Sequence, residues 1–261
     1  MNILNLRGAT FRIAWIDLPG TDPSAPPDLY LHGLGSSSIA TFPGIAAHPR
    51  LRSHRAILLD LPGFGFSTAP PGWTFTIEDQ AAIIAECIEQ LCLSSLRLVG
   101  HSMGGSIAIM LAHIRPDLVR SLVVAEPNLD PGSGTLSGHI TRQGESAFIE
   151  RGAGHLRLAM QRQAARGDRT AAIFAPTLLQ ALPQALHRAA TSLRIDRTPT
   201  FRQMLLDATM PRLFIAGAAS NDIPAADFAG TGIQFIEIAN AGHTMMDDDP
   251  DAFASAIATM P

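Results

Sequence analysis

The sequence predicts an α/β fold in which a mostly parallel central sheet is flanked by helices and carries an inserted helical cap. Strand-like apolar runs alternate with helix-like segments from residue 29 to residue 126, which is typical of parallel strands joined by crossover helices. The alternation stops between about residues 128 and 205, where only helix-like segments occur, and strand-like runs then resume. At 261 residues, the chain is long enough to bury a sizeable core around such a sheet.

The first elements are predicted from alternation and from turn residues. Residues 2–7 and 10–17 are expected to pair as a hairpin, because apolar and polar side chains alternate in the second run. Short apolar runs at residues 29–31 and 56–59 predict buried strands, and a glycine-rich turn follows each of them. A helix is predicted from Thr76, whose hydroxyl can accept a hydrogen bond from the first turn.

The later elements complete the sheet on both sides of the predicted cap. Four more strands are predicted, at residues 96–99, 121–125, 212–217 and 233–238. Helical segments are expected in the insertion at residues 146–150, 155–165, 170–174, 178–191 and 200–208. A last helix should run from about 250 to 259, because Asp249 can cap it and Pro250 suits its first position.

These limits predict two units in the chain. Residues 1–127 and 206–261 are expected to form the core domain, and residues 128–205 are expected to form the cap inserted in it. The insertion is rich in arginine compared with the acidic remainder of the chain. This change in composition fits an inserted cap better than an independent domain.

Composition and charge indicate a globular protein and argue against nucleic-acid-binding and membrane-spanning proteins. A hydrophobic share of 46% and a charged share of 16% fit an ordinary globular chain, and a net charge of −4 gives no reason to expect nucleic acid as a partner. The N-terminal residues lack a signal-peptide pattern, and no run of about 18 apolar residues could span a bilayer. We therefore expect a cytoplasmic protein without a membrane partner. The oligomeric state stays open.

The cysteines and histidines indicate neither a disulfide nor a metal centre. Cys87 and Cys92 lie on one predicted helix, about 140° apart around its axis, so they cannot form a disulfide without unwinding it. We interpret both as small buried core residues. No spacing of histidines and carboxylates indicates a metal site, and no cofactor is expected.

The strongest functional signal is the segment Gly-His-Ser-Met-Gly at residues 100–104. A strand-like run precedes it and an alanine- and leucine-rich segment follows, so the pattern predicts a sharp strand–turn–helix with Ser102 exposed at its tip. A β-carbon at Gly100 or Gly104 would collide with the neighbouring strand or helix. Ser102 is predicted to be a nucleophile at the positive end of the helix dipole. A serine hydroxyl is a poor nucleophile unless a base lies within hydrogen-bond reach.

Four motifs together resemble the α/β-hydrolase superfamily. They are His32-Gly33-Leu34-Gly35, Asp60-Leu61-Pro62-Gly63-Phe64-Gly65-Phe66-Ser67, Gly100-His101-Ser102-Met103-Gly104-Gly105 and Ala241-Gly242-His243. Their order and their positions between strands match the superfamily over almost the whole chain. The set is specific for the fold and much less specific for the substrate.

The resemblance implies roles for several of these residues. In that superfamily a serine attacks a carbonyl, a histidine takes its proton and an acid orients the histidine, in the chain order serine, acid, histidine. His243 is implied as the base, and the backbone N–H groups of Leu34 and Met103 are implied as the oxyanion hole. We expect His101 to point away from the nucleophile, and Asp60 to be structural.

The acid of this triad has two candidates. Relatives usually carry aspartate three residues after the glycine that closes the penultimate strand, but here Gly217 is followed at that position by Ser220, and Asp222 comes two residues late. Glu126 stands at the tip of the strand after the nucleophile, where haloalkane dehalogenases, among others, place their acid. A glutamate that ends an apolar strand is unfavourable without a partner. We predict Glu126 as the acid and keep Asp222 as the alternative acid. Glu126 could instead be a carboxylate that ends the strand in solvent and has no catalytic role.

Together these residues predict a serine hydrolase that cleaves an ester, thioester or lactone of a small molecule through an acyl-enzyme intermediate. Serine at position 102 argues against dehalogenases and epoxide hydrolases, which use a carboxylate nucleophile. A carbon–carbon bond hydrolase or a cofactor-free perhydrolase on the same fold is the alternative. A non-catalytic protein that binds a small ligand is the second alternative. The acyl and alcohol groups of the substrate are not predicted.

Overall fold

A computed structural model describes residues 1–220 and 223–261, in which eight strands form one sheet. The strands are β1 (Asn2–Leu6), β2 (Phe11–Leu18), β3 (Asp28–Leu31), β4 (Ala56–Leu59), β5 (Leu96–His101), β6 (Val119–Ala125), β7 (Arg212–Gly217) and β8 (Ile233–Ile238). Their spatial order is β1-β2-β4-β3-β5-β6-β7-β8. β1 and β2 are antiparallel to their neighbours, and β3 to β8 are parallel to one another. The predicted mostly parallel sheet is confirmed.

Helices cover both faces of this sheet and fill the chain between β6 and β7. They are α1 (Ser38–Thr41), α2 (Pro43–Ala46), α3 (Ile77–Gln90), α4 (Met103–Ile114), α5 (Thr135–Ile140), α6 (Glu145–Ala147), α7 (Ala153–Ala165), α8 (Arg169–Gln180), α9 (Pro183–Arg194), α10 (Phe201–Asp207), α11 (Met245–Asp248) and α12 (Pro250–Ile257). A π-helical segment, Phe148–Gly152, joins α6 to α7, and 3-10 turns lie at Pro116–Leu118 and Ala225–Phe228. No helix in the described part of the chain is both long enough and apolar enough to cross a membrane.

The central strands are continuously apolar because both faces of the sheet are covered. Leu98 of β5 and Leu122 of β6 point to the layer that contains α3 and α4, whereas Val99 and Val123 point to the layer that contains α2 and α12. Buried parallel strands lack the polar alternation of half-exposed ones, since neither face meets water. The parallel arrangement brings the carboxyl ends of β3, β5, β6, β7 and β8 to one edge of the sheet.

Side-chain caps set the ends of the flanking helices where the sequence predicts them. The Thr76 hydroxyl accepts a hydrogen bond from the N–H of Asp79 at the start of α3, at 3.1 Å. The Asp249 carboxylate accepts one from the N–H of Ala252 at the start of α12, at 3.0 Å. Each cap satisfies one of the backbone donors that the first helical turn leaves unpaired.

The boundary between α8 and α9 differs from the sequence prediction. The expected break at about residues 175–177 is wrong, because Pro176 lies inside α8 and the chain leaves the helix at Ala181 and Leu182 instead. Leu182 precedes Pro183, which disfavours a helical backbone at the residue before it. The N–H of Leu182 donates to the carbonyl oxygen of Gly63 at 2.9 Å, so a contact with the core stabilises the break.

The two cysteines have different environments. Cys87 is buried in α3, as predicted. The prediction that Cys92 is buried on the same helix is wrong, because α3 ends at Gln90 and Cys92 is exposed with a φ of 52°. The chain turns there through a left-handed conformation that commonly ends helices.

A buried ion pair joins the opposite edge of the sheet to the C-terminal segment. The Arg97 guanidinium donates to both carboxylate oxygens of Asp28, at 2.9 and 2.8 Å, and each residue is only 1% exposed. Arg97 also donates to the carbonyl oxygens of Ile257 and Met260, at 3.3 and 2.9 Å. Burial acts to raise the pKa of Asp28, and the neighbouring guanidinium opposes this effect.

Asp28→Asn is expected to lower the free energy of unfolding by about 3–5 kcal/mol, because it leaves a buried guanidinium without its counter-charge. Asp17→Asn is the matched control. Asp17 pairs with Arg55 at 2.8 Å, but their side chains are 31% and 42% exposed, so its loss should cost no more than about 1 kcal/mol. Urea unfolding of both variants measures the difference. Equal destabilisation of the two variants would contradict the prediction.

Candidate active site

Ser102 lies at a sharp turn between β5 and α4. Its φ of 53° and ψ of −121° are strained for a residue with a side chain, and its N–H donates to the carbonyl oxygen of Ala125 at 2.9 Å. A β-carbon at Gly100 would lie 2.4 Å from the carbonyl oxygen of Gly104, and one at Gly104 would lie 2.3 Å from that of Leu31. The two glycines are therefore required for the close approach of β5, α4 and β3, as the sequence predicts.

The loop that follows β3 lies beside this turn, because β3 and β5 are neighbours in the sheet. A β-carbon at Gly33 would lie 3.3 Å from the β-carbon of Ser102. Leu34 and Met103 are 6% and 0% exposed, and the backbone N–H of neither residue donates to any acceptor in residues 1–220 and 223–261. Unpaired donors in buried segments are rare and call for a partner. These two can bind a developing oxyanion.

Hydrogen bonds to the loop after β4 hold the loop after β3 in place. The N–H of Leu61 donates to Nε2 of His32 at 3.0 Å, so the proton of this imidazole lies on Nδ1, which donates to the carbonyl oxygen of Gly33 at 2.8 Å. The Ser37 hydroxyl donates to the fully buried Asp60 carboxylate at 2.7 Å. Burial lowers the pKa of His32. The contacts of Asp60 are those of a structural residue that orders the loop carrying Leu34.

The carboxylate of Glu126 contacts the imidazole of His243. Glu126 Oε2 lies 2.6 Å from His243 Nδ1. The other oxygen, Oε1, accepts hydrogen bonds from the N–H of Gly217 and from the hydroxyl of Ser220, each at 2.8 Å. Both residues of the pair lie at strand exits: Glu126 follows β6 with a φ of 42°, and His243 lies in the loop after β8.

The environment of Glu126 favours its charged form. Its side chain is only 10% exposed. Burial acts to raise the pKa of Glu126, but the hydrogen bonds from His243, Gly217 and Ser220 outweigh it and hold the pKa below its ordinary value. This is not the solvated strand end considered as an alternative. An ionised carboxylate against Nδ1 keeps the proton on that nitrogen and leaves Nε2 free to accept one.

The other candidate acid, Asp222, lies outside the described residues. Ser220 occupies the place three residues after Gly217, where the resemblance would put the acid, and it donates to Glu126. The loop after β7 therefore carries a hydrogen-bond donor, Ser220, to the carboxylate of Glu126 at the end of the neighbouring strand β6.

The sequence analysis missed a contact between His101 and His243. Nε2 of His101 donates to the backbone carbonyl oxygen of His243 at 2.7 Å, and the centroids of the two rings are 4.7 Å apart. His101 is 7% exposed. Burial, and then the proximity of His243, lower the pKa of His101 to about 3. The available signal was a histidine directly beside the predicted nucleophile.

The hydroxyl of Ser102 makes no hydrogen bond to any residue that the structure describes, and the imidazole of His243 is 49% exposed. In ligand-free enzymes the hydrogen bond from nucleophile to base is often long and tightens only when substrate binds. The arrangement offers a hydroxyl, an imidazole oriented by a carboxylate and two N–H donors that have no acceptor among the described residues. Together these groups are suited to acyl transfer.

Helix α8 reaches across this cluster of residues. At one end, the hydroxyl oxygens of Thr170 and Thr244 are 3.4 Å apart, which places the helix at the loop that carries His243. Further along, α8 contacts the loop after β3: a β-carbon at Gly35 would lie 2.9 Å from both Phe174 Cζ and Leu178 Cδ1. An apolar wall therefore stands over the side of the site that holds Leu34.

Comparison with known proteins gives partial matches in sequence and a match in fold over most of the chain. The chain is 36% identical over 98 residues to the (E)-2-((N-methylformamido)methylene)succinate hydrolase of Acinetobacter baylyi, covering 38% of this chain and 36% of that protein. It is 33% identical over 99 residues to the 2-hydroxy-6-oxo-2,4-heptadienoate hydrolase of Pseudomonas putida, with 38% and 36% covered. These matches span about a third of each relative.

A solved structure of a thermophilic esterase from Thermogutta terrifontis shares the fold. It superposes with a TM-score of 0.77 at 22% identity, over 95% of this chain and 92% of that one. Residues 29–256 also match the sequence profile of the alpha/beta hydrolase family, from β3 into α12. By this match the chain belongs to the alpha/beta hydrolase family.

Proposed function

We propose that the protein is a serine hydrolase that cleaves an ester, thioester or lactone of a small molecule through an acyl-enzyme intermediate. The observation that carries the proposal is the 2.6 Å contact between the buried Glu126 carboxylate and Nδ1 of His243, next to the strained turn at Ser102. Membership of the alpha/beta hydrolase family supports it. The proposed reaction needs no metal or organic cofactor.

In the proposed mechanism, Oγ of Ser102 attacks the substrate carbonyl carbon while Nε2 of His243 takes the hydroxyl proton. Glu126 stabilises the resulting imidazolium through Nδ1. The tetrahedral oxyanion accepts hydrogen bonds from the N–H groups of Leu34 and Met103. Collapse breaks the bond to the alcohol or thiol, which leaves with the proton from Nε2. Water then attacks the acyl-enzyme with the same base, releasing the carboxylic acid and restoring the serine.

We also propose that residues 128–205 act as a cap on a core formed by residues 1–127 and 206–261. The absence of strands in the insertion, all of which is described, and the contacts of α8 with the loops on both sides of Ser102 support this division. Phe174 and Leu178, which α8 places against Gly35, have apolar side chains. They favour a substrate with an apolar group beside the oxyanion hole.

A carbon–carbon bond hydrolase is the second candidate function. The specific observation in its favour is the 33% identity over 99 residues to the 2-hydroxy-6-oxo-2,4-heptadienoate hydrolase of Pseudomonas putida. Turnover of a 2-hydroxy-6-oxo-dienoate, followed by loss of its conjugated absorbance, would distinguish this activity from ester hydrolysis. Faster turnover of the dienoate than of any p-nitrophenyl ester would favour the second candidate.

A fluorophosphonate is expected to label the native protein at one site, because it traps a serine that a neighbouring base activates. Mass spectrometry of the digested adduct should place the label on Ser102. Heat-denatured protein is the control and should stay unlabelled, since the isolated hydroxyl is unreactive. Absence of labelling would instead support the non-catalytic binder, and labelling of another serine would contradict the assigned nucleophile.

A further inference from the structure

We propose that His101 is a positioning residue that fixes the catalytic base through one hydrogen bond to the backbone of His243. This inference rests on the proposed role of His243 as the base. The hydrogen bond from His101 is a second contact that holds His243 in place. Glu126 holds the ring of His243 at Nδ1, at 2.6 Å, and His101 holds its carbonyl oxygen, at 2.7 Å. The ring is thus held by a residue that follows β6, and the backbone is held by the last residue of β5.

The location of His101 suits this role. It is the last residue of β5 and directly precedes Ser102, so its backbone is fixed by the same strand that presents the nucleophile. In the sheet it lies opposite Ala125, the residue before Glu126. A bond from this position to the carbonyl oxygen of His243 links the three predicted triad residues to one rigid part of the sheet.

The loop that carries His243 is anchored on both sides of this residue, and His101 adds a contact to His243 itself. Half of the His243 side chain is accessible, and the neighbouring backbone is held by the carboxylate of Asp248, which accepts from the N–H of Gly242 at 2.9 Å. On either side of His243, Ala241 and Met245 are buried in the core, and the carbonyl oxygen of Ala241 accepts from the N–H of Ala219 at 3.0 Å. The bond from His101 reaches His243 itself from the end of β5, and it spans 142 positions in the sequence.

The state of the His101 imidazole follows from its partners. A carbonyl oxygen only accepts, so Nε2 carries the proton and Nδ1 does not. Nδ1 lies against the backbone of Gly33, where a β-carbon would approach it to 3.2 Å. Burial and the neighbouring His243 keep the ring neutral, with a pKa of about 3. A neutral ring does not oppose the positive charge that His243 gains during the reaction.

Two substitutions at this position separate the hydrogen bond from packing. His101→Phe keeps a ring of similar size but removes the donor, and kcat for a p-nitrophenyl ester should fall about 10- to 100-fold with KM within about 2-fold. His101→Gln places an amide N–H near the position of Nε2, so kcat should recover to within about 3-fold of wild type. A purely structural role would not be rescued in this way.

His187→Phe is the matched control. Nε2 of His187 also contacts a backbone carbonyl oxygen, that of Gln143 at 2.9 Å, and the residue is 9% exposed. The same substitution there should leave kcat unchanged within about 2-fold. A kcat for His101→Phe that stays near wild type, or a folded His101→Gln that is as slow as His101→Phe, would overturn the proposal.

A measurement on the wild type keeps the inference testable if His101→Phe does not fold. NMR of protein with ¹⁵N-labelled histidine should show His101 as a neutral ring with its proton on Nε2 from about pH 5 to pH 9. A proton on Nδ1, or titration of this ring within the range, would overturn the proposal. Fluorophosphonate labelling and ester turnover of the wild type test the proposed function separately, so failure of one can be told from failure of the other.

Discussion

Ser102→Ala is expected to fold like the wild type and to lose turnover by about 10⁶-fold, which is the scale on which a nucleophile is lost from a serine hydrolase. The change removes the atom that forms the acyl-enzyme, while the N–H groups of Leu34 and Met103 and the contacts with substrate remain. Residual activity above the uncatalysed rate is therefore expected. The side chain of alanine is smaller than that of serine, so alanine should be no more strained at a φ of 53°. The melting temperature should therefore stay close to that of the wild type.

The measurement compares kcat for p-nitrophenyl esters, fluorophosphonate labelling and thermal unfolding of the variant with those of the wild type. His243→Ala should lose a similar factor, and the double variant should lose little more, because nucleophile and base act as one unit. Stoichiometric labelling of Ser102→Ala would contradict the assignment of the nucleophile. Additive losses in the double variant would show that the two residues act independently.

The fold was predictable because its main signals are local. Buried parallel strands are short apolar runs, and the turn at Ser102 requires glycine at Gly100 and Gly104 within the same five residues. Each constraint acts over a few positions, so it is visible in the sequence alone. The break after α8 had a local signal in Pro183, which disfavours a helical backbone at Leu182, but the hydrogen bond from Leu182 to the distant carbonyl oxygen of Gly63 that stabilises the break has no local signal.

The site was predictable only in part, for the same physical reason. The motifs indicate Ser102 and His243, but the contacts of Glu126 with Ser220 and of His101 with His243 join segments 94 and 142 positions apart. No local pattern specifies such pairs. The exposure of Cys92 was also not predicted, because it depends on where α3 ends. The helix ends at Gln90, and hydrophobic periodicity defines helix ends poorly.

Glu126→Gln is expected to lower kcat by about 10⁴-fold with little change in KM, whereas Asp222→Asn should leave kcat near that of the wild type. Glutamine keeps an oxygen that can accept from Gly217 and Ser220, so the folded structure should persist. It removes the charge that stabilises the imidazolium of His243. Its amide can also donate to Nδ1, which would place the histidine proton on Nε2, where it prevents that nitrogen from acting as a base.

The pH dependence of the loss gives a second readout. The pKa of Glu126 lies below its ordinary value, so the carboxylate stays ionised throughout the range above about pH 4.3, the usual pKa of a glutamate. The defect of Glu126→Gln should therefore persist at every pH in that range rather than disappear at one end. A defect that vanishes at high pH would indicate that the charge of Glu126 is not what the base requires.

Glu89→Gln is the control for the substitution itself, since Glu89 is an exposed carboxylate that pairs with Arg115 at the surface. Its kcat and melting temperature should match those of the wild type. All three variants need thermal unfolding in parallel, because only a loss of rate in a folded protein bears on the acid. If Asp222→Asn collapses in rate while Glu126→Gln does not, the acid comes from the strand that usually supplies it. The contact at 2.6 Å between Glu126 and His243 would then orient the ring without being required for the reaction.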